Sequence, residues 1–466
     1  MKIRITLFLL LFICFSLVAQ DTWLMTYYPF AGSYYVSEII VCTDSGYVIN
    51  GYYSNGSGED LVIVGFVLKT DPEGNMLWAQ NYNITTGLWE HHYIVETEDN
   101  GFIITGYNYG SGSDMELTKL DSEGNFVWED VFENYSVFCL DKTSDGNLLA
   151  AGIDREEDYN WPILKKLTQD TDVIWSQTYA FENYVYGKVT SAIQANDGGY
   201  ILAGFLSASP QDRDTFVIKT NAEGDSLWAR IYGNADTKEE PIAIIEDDEA
   251  NILVSGYIQY TSGVLWKLDE QGNTIWFYET PEEIHSSFSK SNDGSIISLS
   301  GWGSGNNQIN KFNNDYENIW TQDFGILAGY SDKALSTTAD DHIVVAVYPD
   351  NVPGIAKLNS EGTFTDSQDE FSIISTTNLS NFPNPFNPST TINFSIKKNS
   401  KVALSVYNIK GQLIKTLSNE VLNAGDHSII WNGEDEYNVP VSSGIYLYKL
   451  IINGENKAIN KCLLLK

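Results

Sequence analysis

The stretch LKTDPEGNMLWAQNY, residues 68–82, returns along the chain with small changes. Each copy has an apolar segment, a turn built from Asp, Gly or Asn, and a second apolar segment that carries tryptophan in most copies. Clear copies begin at Thr118, Ile218 and Trp266, and looser copies begin at Lys165, Asn310 and Ala356. A unit that recurs at this interval predicts a repeat architecture, in which each copy forms one structural module.

One full repeat contains four short apolar segments. In the second repeat they read HHYIVETE, NGFIITGYN, DMELTKLD and NFVWEDVF, within residues 91–132. They are rich in Ile, Val, Tyr and Phe and are bounded by Gly, Asn and Asp, which is typical of β-strands. The Asp of each turn can bind backbone amides, and Gly or Asn accepts the left-handed conformation that closes a hairpin. Four antiparallel strands per repeat are therefore expected.

The tryptophans give the number of repeats. Their spacings are 50, 47, 53, 48 and 44 residues along Trp78, Trp128, Trp175, Trp228, Trp276 and Trp320. Four strands at such a period predict a β-propeller. The seventh unit has Asp366 where a tryptophan is due, whereas Trp23 precedes Trp78 by 55 residues. We therefore expect seven blades, the last closed by an outermost N-terminal strand in which residues 22–28 pair with 354–359, which covers an open edge.

This tryptophan pattern resembles the tryptophan-docked propellers of the quinoprotein type. It is also similar to propeller repeats common in secreted proteins of the Bacteroidetes. The resemblance covers residues 23 to about 370 and implies that each tryptophan packs against a neighbouring blade. It implies no quinone site, because the sequence shows no ligand pattern for one.

The charge of the chain is strongly negative and unevenly distributed. The 466 residues carry a formal charge of −35. Residues 21–378 hold 16 basic and 56 acidic groups, whereas residues 379–466 hold nine Lys and six acidic residues. The negative electrostatic potential around such a chain repels nucleic acid and anionic lipid. It indicates a soluble, self-avoiding surface, with binding of a divalent cation such as calcium as the alternative.

The N-terminus predicts secretion. Residues 1–20 have a basic start, an apolar stretch and a small residue at Ala19, which is typical of a signal peptide cleaved near Ala19 or Gln20. We expect no transmembrane segment in the mature chain, because no other stretch approaches spanning length. Cys42, Cys139 and Cys462 are far apart and odd in number, so a disulfide framework is not expected.

The C-terminal part differs from the repeats. After a linker at residues 371–380, residues 381–466 have alternating strands and turn prolines, which predict a small antiparallel sandwich. This region resembles both the type A sorting domain of the type IX secretion system and the immunoglobulin-like fold of the flagellar hook-capping family. The matching residues are Pro383, Asn384, Pro385, Tyr407, Gly411, Trp431, Gly444, Tyr446 and Lys466.

That resemblance implies a route and a partner. The partner is the type IX secretion machinery, which would carry the chain through the periplasm to the outer-membrane surface or the exterior of a Gram-negative bacterium. The module would be removed on export. The alternative is a permanent domain of a secreted protein. Nothing in the sequence indicates an oligomer, so we expect a monomer.

The sequence contains no motif for catalysis. None of the five histidines lies in a metalloprotease motif, and the pair His91 and His92 lacks further metal ligands. No nucleophile elbow occurs, and acidic pairs are expected as solvated loops in so acidic a chain. We therefore predict no cofactor and no transition-metal site, leaving calcium open.

A ligand site is expected on the face formed by the loops between blades and between second and third strands. Aromatic rings beside acids and amides favour binding of a glycan or a protein. The rings are Tyr34, Tyr35, Trp89, Tyr109, Tyr159, Trp161, Tyr184, Tyr186, Trp302 and Tyr330. Rings wedged between blades would be the alternative. The sequence thus predicts an all-β binding protein, with a carbohydrate-active enzyme that uses carboxylates on this face, or a structural adhesion component, as alternatives.

Overall fold

The protein is all-β in a computed structural model. The structure describes residues 22–27, 29–30, 32–55, 62–82, 93–108, 114–155, 160–209, 212–233, 237–259, 262–281, 283–301, 307–324, 326, 328, 331–364, 374–375, 380–382, 386–396, 399–408, 412–423, 425–437, 439–453 and 455–465. The predicted signal peptide therefore lies outside the described residues. No helix among the described residues combines the length and apolar composition needed to cross a lipid bilayer.

The first 29 strands lie within residues 23–375. In chain order they are β1 (Trp23–Thr26), β2 (Ser33–Val41), β3 (Tyr47–Asn55), β4 (Val62–Thr70), β5 (Met76–Tyr82), β6 (Ile94–Glu96), β7 (Phe102–Asn108), β8 (Asp114–Leu120), β9 (Phe126–Phe132), β10 (Tyr135–Lys142), β11 (Leu148–Arg155), β12 (Asn160–Leu167), β13 (Val173–Thr178), β14 (Tyr186–Gln194), β15 (Tyr200–Ser209), β16 (Asp212–Thr220), β17 (Ser226–Tyr232), β18 (Glu239–Glu246), β19 (Ile252–Ile258), β20 (Ser262–Leu268), β21 (Thr274–Pro281), β22 (His285–Lys290), β23 (Ile296–Ser300), β24 (Gln308–Phe312), β25 (Asn318–Asp323), β26 (Leu335–Thr337), β27 (Ile343–Val347), β28 (Gly354–Leu358) and β29 (Ile374–Ser375). A 3₁₀ helix, Pro349–Asn351, precedes β28.

These strands pair as consecutive antiparallel meanders of four. Meanders 1 to 6 are β2–β5, β6–β9, β10–β13, β14–β17, β18–β21 and β22–β25, and a parallel bridge between Asn160 and Tyr186 joins meanders 3 and 4. The predicted four-strand repeat is therefore present. First strands such as β10 and β18 are mostly buried, whereas outer strands such as β13 alternate towards solvent.

Meander 7 contains the N-terminal strand. Its order is β26, β27, β28 and β1, and Trp23 to Thr26 pair antiparallel with Lys357 to Gly354. The predicted pairing of the N-terminal strand with β28 is confirmed. β29, in the segment expected as a linker, adds to the outer edge by pairing parallel with β1. The exposed edge of β1 is thereby partly covered.

Each tryptophan strand contacts the meander that follows it. The indoles of Trp23, Trp78, Trp175, Trp228 and Trp320 lie over a glycine in the next hairpin turn, at Gly74, Gly124, Gly224, Gly272 and Gly362. A Cβ built on any of these glycines would come within 2.6–2.8 Å of the indole, and each has a positive φ. The turn therefore needs glycine for two reasons, its conformation and the close approach of the ring.

Two meanders use another residue in this turn. Trp276 packs edge-on against Tyr316, with ring centroids 5.5 Å apart, and Tyr316 itself has a positive φ of 60°. In meander 3 the corresponding position is Thr171, also at positive φ, and its hydroxyl donates to Asp130 of meander 2 over 2.6 Å. Trp128 packs against the apolar cluster shared by meanders 2 and 3. The contact between successive meanders is thus retained where glycine is missing.

A lysine of the third strand binds an aspartate of the first hairpin turn in successive meanders. Such pairs are Lys69–Asp44, Lys119–Asp99, Lys166–Asp145, Lys219–Asp197 and Lys311–Asp293, at 2.6–2.9 Å. Each lysine is largely buried, whereas each aspartate is half-exposed. Hydrogen bonds from Lys119 and Thr97 lower the pKa of Asp99 to about 2. The few basic residues of this acidic region thus fix one turn in each of these five meanders.

The first strands of the meanders contact one another in cyclic order. Each contacts the first strand of the next meander, and β26 of meander 7 contacts β2 of meander 1. Apolar residues between neighbouring meanders form the core, as where Val48 and Val67 meet Phe102 and Ile104. The inner strands therefore surround a common axis.

The remaining strands form a separate two-sheet module. They are β30 (Ser380–Phe382), β31 (Thr390–Ile396), β32 (Ser400–Asn408), β33 (Leu413–Leu422), β34 (Gly425–Trp431), β35 (Gly444–Ile452) and β36 (Glu455–Leu464). One sheet has the order β30-β31-β34 and the other β33-β32-β35-β36. Trp431 is fully buried between them and packs against Phe386 and Tyr446. This is the antiparallel sandwich predicted for the C-terminal region.

Candidate functional site

A cavity of about 380 Å³ opens among the inner strands. Most of its lining residues come from the first strand of a meander or the residue just before it, and six meanders contribute. They are Tyr93, Phe138, Lys188, Thr190, Phe205, Glu240, Pro241, Ile242, Tyr257, Ile284, Ser286, Gly301 and Asp332. We call this the axial cavity. Its volume and its mixture of rings with a few polar groups are those of a small-ligand site.

One wall of the axial cavity is built around Glu240, which is buried at the start of β18. The hydroxyl of Tyr257 donates to Glu240 Oε2 over 2.8 Å, and Arg213 forms an ion pair with Oε1. The Arg213 guanidinium lies 4.7 Å from the centroid of Phe205 and therefore stacks on that ring. Both carboxylate oxygens are thus bound, so Glu240 is a fixed negative charge.

A cation lies in another part of the lining. Lys188 Nζ lies 3.4 Å from the centroid of Phe138, where the negative face of the ring attracts it. Next along β14, the Thr190 hydroxyl donates to the Pro241 carbonyl over 2.8 Å and fastens meander 4 to meander 5. The cavity therefore combines an ammonium, a carboxylate and flat aromatic faces.

Asp332 connects the cavity to a group of charges that we call the axial ion cluster: Glu38, Asp141, Asp332 and Lys333. Glu38 is fully buried, whereas the other three residues are partly exposed. Lys333 Nζ donates to the Leu140 carbonyl over 2.7 Å and lies 3.3 Å from Asp141 and 3.8 Å from Glu38. Because these residues come from meanders 1, 3 and 7, the lysine links strands from opposite sides of the axis.

Further hydrogen bonds bring three more meanders into the cluster. The Ile94 amide donates to Glu38 Oε2 over 2.7 Å, and the Ser191 hydroxyl donates to Asp332 Oδ2 over 2.9 Å. The Ser287 hydroxyl donates to the backbone carbonyl of Asp332 over 2.9 Å. The cluster thus connects six of the meanders.

Burial shifts the acid–base properties of this cluster. Loss of water raises the pKa of Glu38 to about 8, although Lys333 and the Ile94 amide oppose the rise. Burial likewise raises the pKa of Asp332 to about 6, against the attraction of Lys333. Burial alone would disfavour the charge of Lys333, but Asp141 and Glu38 more than compensate and raise its pKa. Near neutral pH, Lys333 is charged and Glu38 holds its proton most of the time.

Those predicted ligand rings that the structure describes do not form one exposed surface. Tyr34 is 1% exposed, packs against Tyr53 and Phe66, and donates its hydroxyl to the Phe30 carbonyl. The expected exposure is therefore wrong for Tyr34, because it lies on the core side of β2. Tyr35, on the opposite side of the strand, is 44% exposed and stacks on Tyr52 with centroids 4.9 Å apart.

Three other predicted rings do not line the cavity, although one of them, Tyr186, packs against the lining residue Phe205. Trp161 and Tyr186 are half-buried at the start of β12 and β14, and Tyr186 stacks on Phe205 at 5.8 Å. Tyr184 donates its hydroxyl to Asp214 over 2.6 Å. The predicted ligand residues Trp89, Tyr109, Tyr159, Trp302 and Tyr330 lie outside the described residues.

Sequence reasoning missed Lys188 and Asp332 of the axial cavity. It was wrong for the acidic pair Glu239 and Glu240, which was expected in a solvated loop but is buried on β18. One signal was available, since a charged residue interrupts an apolar first strand in SEII (Glu38) and in GKVTSAI (Lys188). A charge inside an otherwise buried strand requires a partner. This signal is not part of the repeat pattern, because that pattern is defined by the tryptophan strands and the first strands carry no tryptophan.

The described residues contain one buried serine–histidine–glutamate arrangement, in meander 6. No three His, Cys, Asp or Glu side chains among them are placed to hold a metal ion. His285 Nδ1 lies 2.8 Å from the Ser298 hydroxyl and Nε2 lies 3.8 Å from Glu283, a sequence of groups found in some hydrolases. Ser298 and His285 are buried within meander 6, and burial lowers the pKa of His285. A substrate therefore has no access to that serine.

Known structures with similar folds are distant. PorZ of Porphyromonas gingivalis, described as an essential bacterial surface component of the type-IX secretion system, aligns over 92% of this chain with 10% identity and a TM-score of 0.45. This chain spans 59% of the PorZ chain. The Dos1 propeller aligns over 89% of this chain and 97% of its own, with 11% identity and a TM-score of 0.43.

A third structure is the β-propeller domain of the Trilobed protease from Pyrococcus furiosus, which has an open velcro topology. It aligns over 72% of this chain and 100% of its own, with 10% identity and a TM-score of 0.42. No curated protein matches the sequence. Residues 386–453 of the C-terminal module match the FlgD Ig-like domain, which confirms the predicted immunoglobulin-like sandwich for this module.

Proposed function

We propose that the protein is a secreted, cell-surface β-propeller that binds a glycan or protein ligand in the axial cavity. The observation that carries the proposal is the lining of that cavity. Phe205 and Tyr257 offer aromatic surfaces, Lys188 offers a cation, and Glu240 offers a carboxylate oriented by two partners. Aromatic faces next to oriented polar groups are the chemistry that recognises sugar rings and peptide side chains.

The site depends on a closed ring, which is part of the proposal. We infer seven blades, one for each meander, with β1 completing the last. Two observations support closure: Trp23 of meander 7 lies over Gly74 of meander 1, and β26 contacts β2. On this basis residues 21–370 form the propeller, and a monomer contains the whole site.

Binding is tested with the purified full chain on a glycan array and a peptide array, followed by calorimetry with the best probe. Lys188→Met and Tyr257→Phe should each weaken binding about tenfold or more, since an oriented polar contact is lost. Phe126→Ala is the matched control, because Phe126 is 64% exposed on an outer strand. Absence of binding on both arrays, or equal binding by all variants, would refute the ligand site and favour a purely structural adhesion role.

An enzymatic alternative has one specific observation in its favour. Glu240 and Asp332 line the same cavity but have different environments, because Glu240 is paired with Arg213 whereas burial raises the pKa of Asp332 to about 6. A fixed carboxylate and a carboxyl group with a raised pKa are the requirements of acid–base cleavage of glycosides. Release of reducing sugar by the full chain, abolished in Asp332→Asn, would support it.

We also propose that residues 381–466 carry the address for type IX export, after a signal peptide at residues 1–20 has directed the chain to the periplasm. Support comes from the motif residues and from the immunoglobulin-like match. Deleting residues 381–466 should leave the melting transition of the propeller unchanged, because the module has its own apolar core. In a host with the type IX machinery, the shortened chain should collect in the periplasm. Surface exposure of the shortened chain would refute the export role.

A further inference from the structure

The loop between β34 and β35 exposes an unusual amount of apolar surface on the C-terminal module. We call residues 434–437 together with Val439 and Pro440 the Tyr437 loop. Tyr437 is 85% exposed, Val439 is 56% exposed, and Leu413 at the start of the adjoining strand β33 is 54% exposed. Exposed side chains of this kind add nothing to the module's core, so another role is needed to explain them.

The loop is held in shape by its own hydrogen bonds. Asp435 Oδ1 accepts the amides of both Tyr437 and Val439 at 2.9 Å, and the Asp435 amide donates to the Val439 carbonyl over 2.9 Å. Glu434 and Pro440 form an antiparallel bridge at its base. The indole of Trp431, buried in the core, donates to the Glu434 carbonyl over 2.9 Å. Tyr437 is thus carried by an ordered turn that is anchored in the core.

The loop is also fastened to β33. The Glu436 amide donates to the Ile414 carbonyl, and the Thr416 amide donates to Glu436 Oε2, both over 2.9 Å. Lys415 Nζ lies 3.8 Å from Glu434. These contacts bring the backbone next to Tyr437 against the backbone next to Leu413. The loop that carries Tyr437 is therefore fixed against the strand that begins at Leu413.

The charge of the Tyr437 loop is opposite to that of the rest of the module. Residues 379–466 contain nine lysines and six acidic residues, and three of those six are the consecutive Glu434, Asp435 and Glu436. An otherwise basic module thus concentrates negative charge around one exposed tyrosine. A protein partner that fits this loop has an apolar slot for the ring, bordered by lysine or arginine side chains.

We propose that the Tyr437 loop is the surface by which the export machinery recognises the module, through such a basic-rimmed slot on one of its proteins. The inference rests on the proposed export role of residues 381–466. Tyrosine suits this task because it provides a large contact area with few rotatable bonds, and a pre-ordered loop loses little entropy on binding. The immunoglobulin-like core would support the loop without itself touching the partner.

The test uses the full chain in a host with the type IX machinery and compares four forms: wild type, Tyr437→Ser, Tyr437→Phe and the deletion of residues 381–466. Surface protein is measured by protease accessibility in intact cells, and retained protein in the periplasmic fraction. Tyr437→Ser should lower the surface fraction at least about fivefold, as expected for loss of a central contact residue. Tyr437→Phe should retain export, because it keeps the ring. Val421→Ser is the control, since Val421 is 70% exposed on the same module.

The outcomes separate the two proposals. Normal export of Tyr437→Ser, with export blocked by the deletion, would show that the loop is not the recognition surface although the module is the address. Normal export of the deletion would refute the address itself. A melting temperature of purified Tyr437→Ser below that of the Val421→Ser control would also overturn the proposal, because the ring would then stabilise the fold.

Discussion

The indole of Trp23, at the beginning of the described chain, lies over Gly74 in the first meander, so close that a Cβ at Gly74 would be 2.6 Å from the ring. The Tyr27 hydroxyl donates to the carbonyl of the same glycine over 2.8 Å. One short strand of meander 7 thus holds a turn of meander 1. The same relationship between a tryptophan and a turn glycine recurs between other successive meanders, so its strength can be measured.

We expect Gly124→Ala to destabilise the protein by about 3 kcal/mol, through strain at positive φ and through collision with Trp78. Gly198→Ala is a matched control, since Gly198 has a similar φ of +86° but no atom within 4 Å of the added Cβ. Gly198→Ala should lower the free energy of unfolding by only about 1–2 kcal/mol. Urea denaturation of both variants measures the difference. Equal losses would show that the tryptophan contact contributes nothing.

Removing residues 21–28 should leave β28 as an open edge and uncover Gly74. We expect a lower melting temperature and a tendency to associate, because unpaired edges bind other chains. Adding the synthetic peptide DTWLMTYY, which has the sequence of residues 21–28, should restore the melting temperature.

A peptide with Ala in place of Trp23 is the control for that restoration. It keeps the backbone partners of β28 but lacks the indole, whose truncation typically costs about 3–5 kcal/mol. Calorimetric scans at increasing peptide concentration provide the measurement. Equal restoration by the two peptides would mean that strand pairing alone accounts for the stabilisation.

The axial ion cluster should make stability fall as pH rises. Glu38 has a pKa of about 8 in the folded protein, above its ordinary value, so the folded state holds a proton that the unfolded chain has released. The contribution of Glu38 to the free energy of unfolding is therefore greatest below about pH 4.5 and decreases as pH rises towards 8. The total decrease is about 1.4 kcal/mol for each unit by which the folded and unfolded pKa values differ. Asp332, with a pKa of about 6, acts in the same direction over a narrower range.

The comparison between wild type and Glu38→Gln isolates this contribution. His285 makes stability rise with pH, because burial lowers its pKa and the folded state favours the neutral form as pH rises through 6.5. This effect is present in both proteins, so it cancels in the comparison. We expect Glu38→Gln to gain stability relative to wild type between pH 5 and 8, by a few kcal/mol in all. Parallel pH profiles of the unfolding free energy would contradict the assigned pKa.

At a pH above 8, where Glu38 is ionised, Lys333→Met should be strongly destabilising, by about 3 kcal/mol, because it leaves a buried carboxylate without its counter-charge. Adding Glu38→Gln to this variant should recover part of the loss, and the double-mutant cycle gives the coupling. Lys290→Met is the control, because its pair with Asp248 is more exposed and should be worth less than about 1 kcal/mol. Additive effects of the first two substitutions would show that Lys333 and Glu38 do not interact.

The sequence was a good guide wherever the repeat imposes the same contact several times. Four strands per unit, the pairing of Trp23 to Thr26 with β28, and the C-terminal sandwich could all be predicted. The period alone did not show that Thr171 and Tyr316 replace the turn glycine, since a hydrogen bond and an edge-on ring contact take over there. A contact that recurs in most repeats can be predicted from a single sequence. A different contact that replaces it in one repeat cannot.

The candidate site was harder to predict because it is formed by what differs between repeats. Tyr34 and Tyr35 are adjacent, yet one belongs to the core and the other to the surface, and a shift of one residue in strand register reverses such an assignment. Lys188, Glu240 and Asp332 come from different meanders and meet only around the axis. Their convergence depends on the order of the first strands, which no local pattern encodes.

The pairing of β1 with β29 determines how the propeller can be tethered. The chain begins and leaves this part of the fold at neighbouring strands on the outer edge of meander 7, whereas the cavity is lined by strands at the inner edge. Four strand spacings of about 4.8 Å place these edges roughly 15–20 Å apart. A polypeptide segment that continues from β29 therefore leaves from the outer edge of meander 7, on the side of the meander away from the axial cavity.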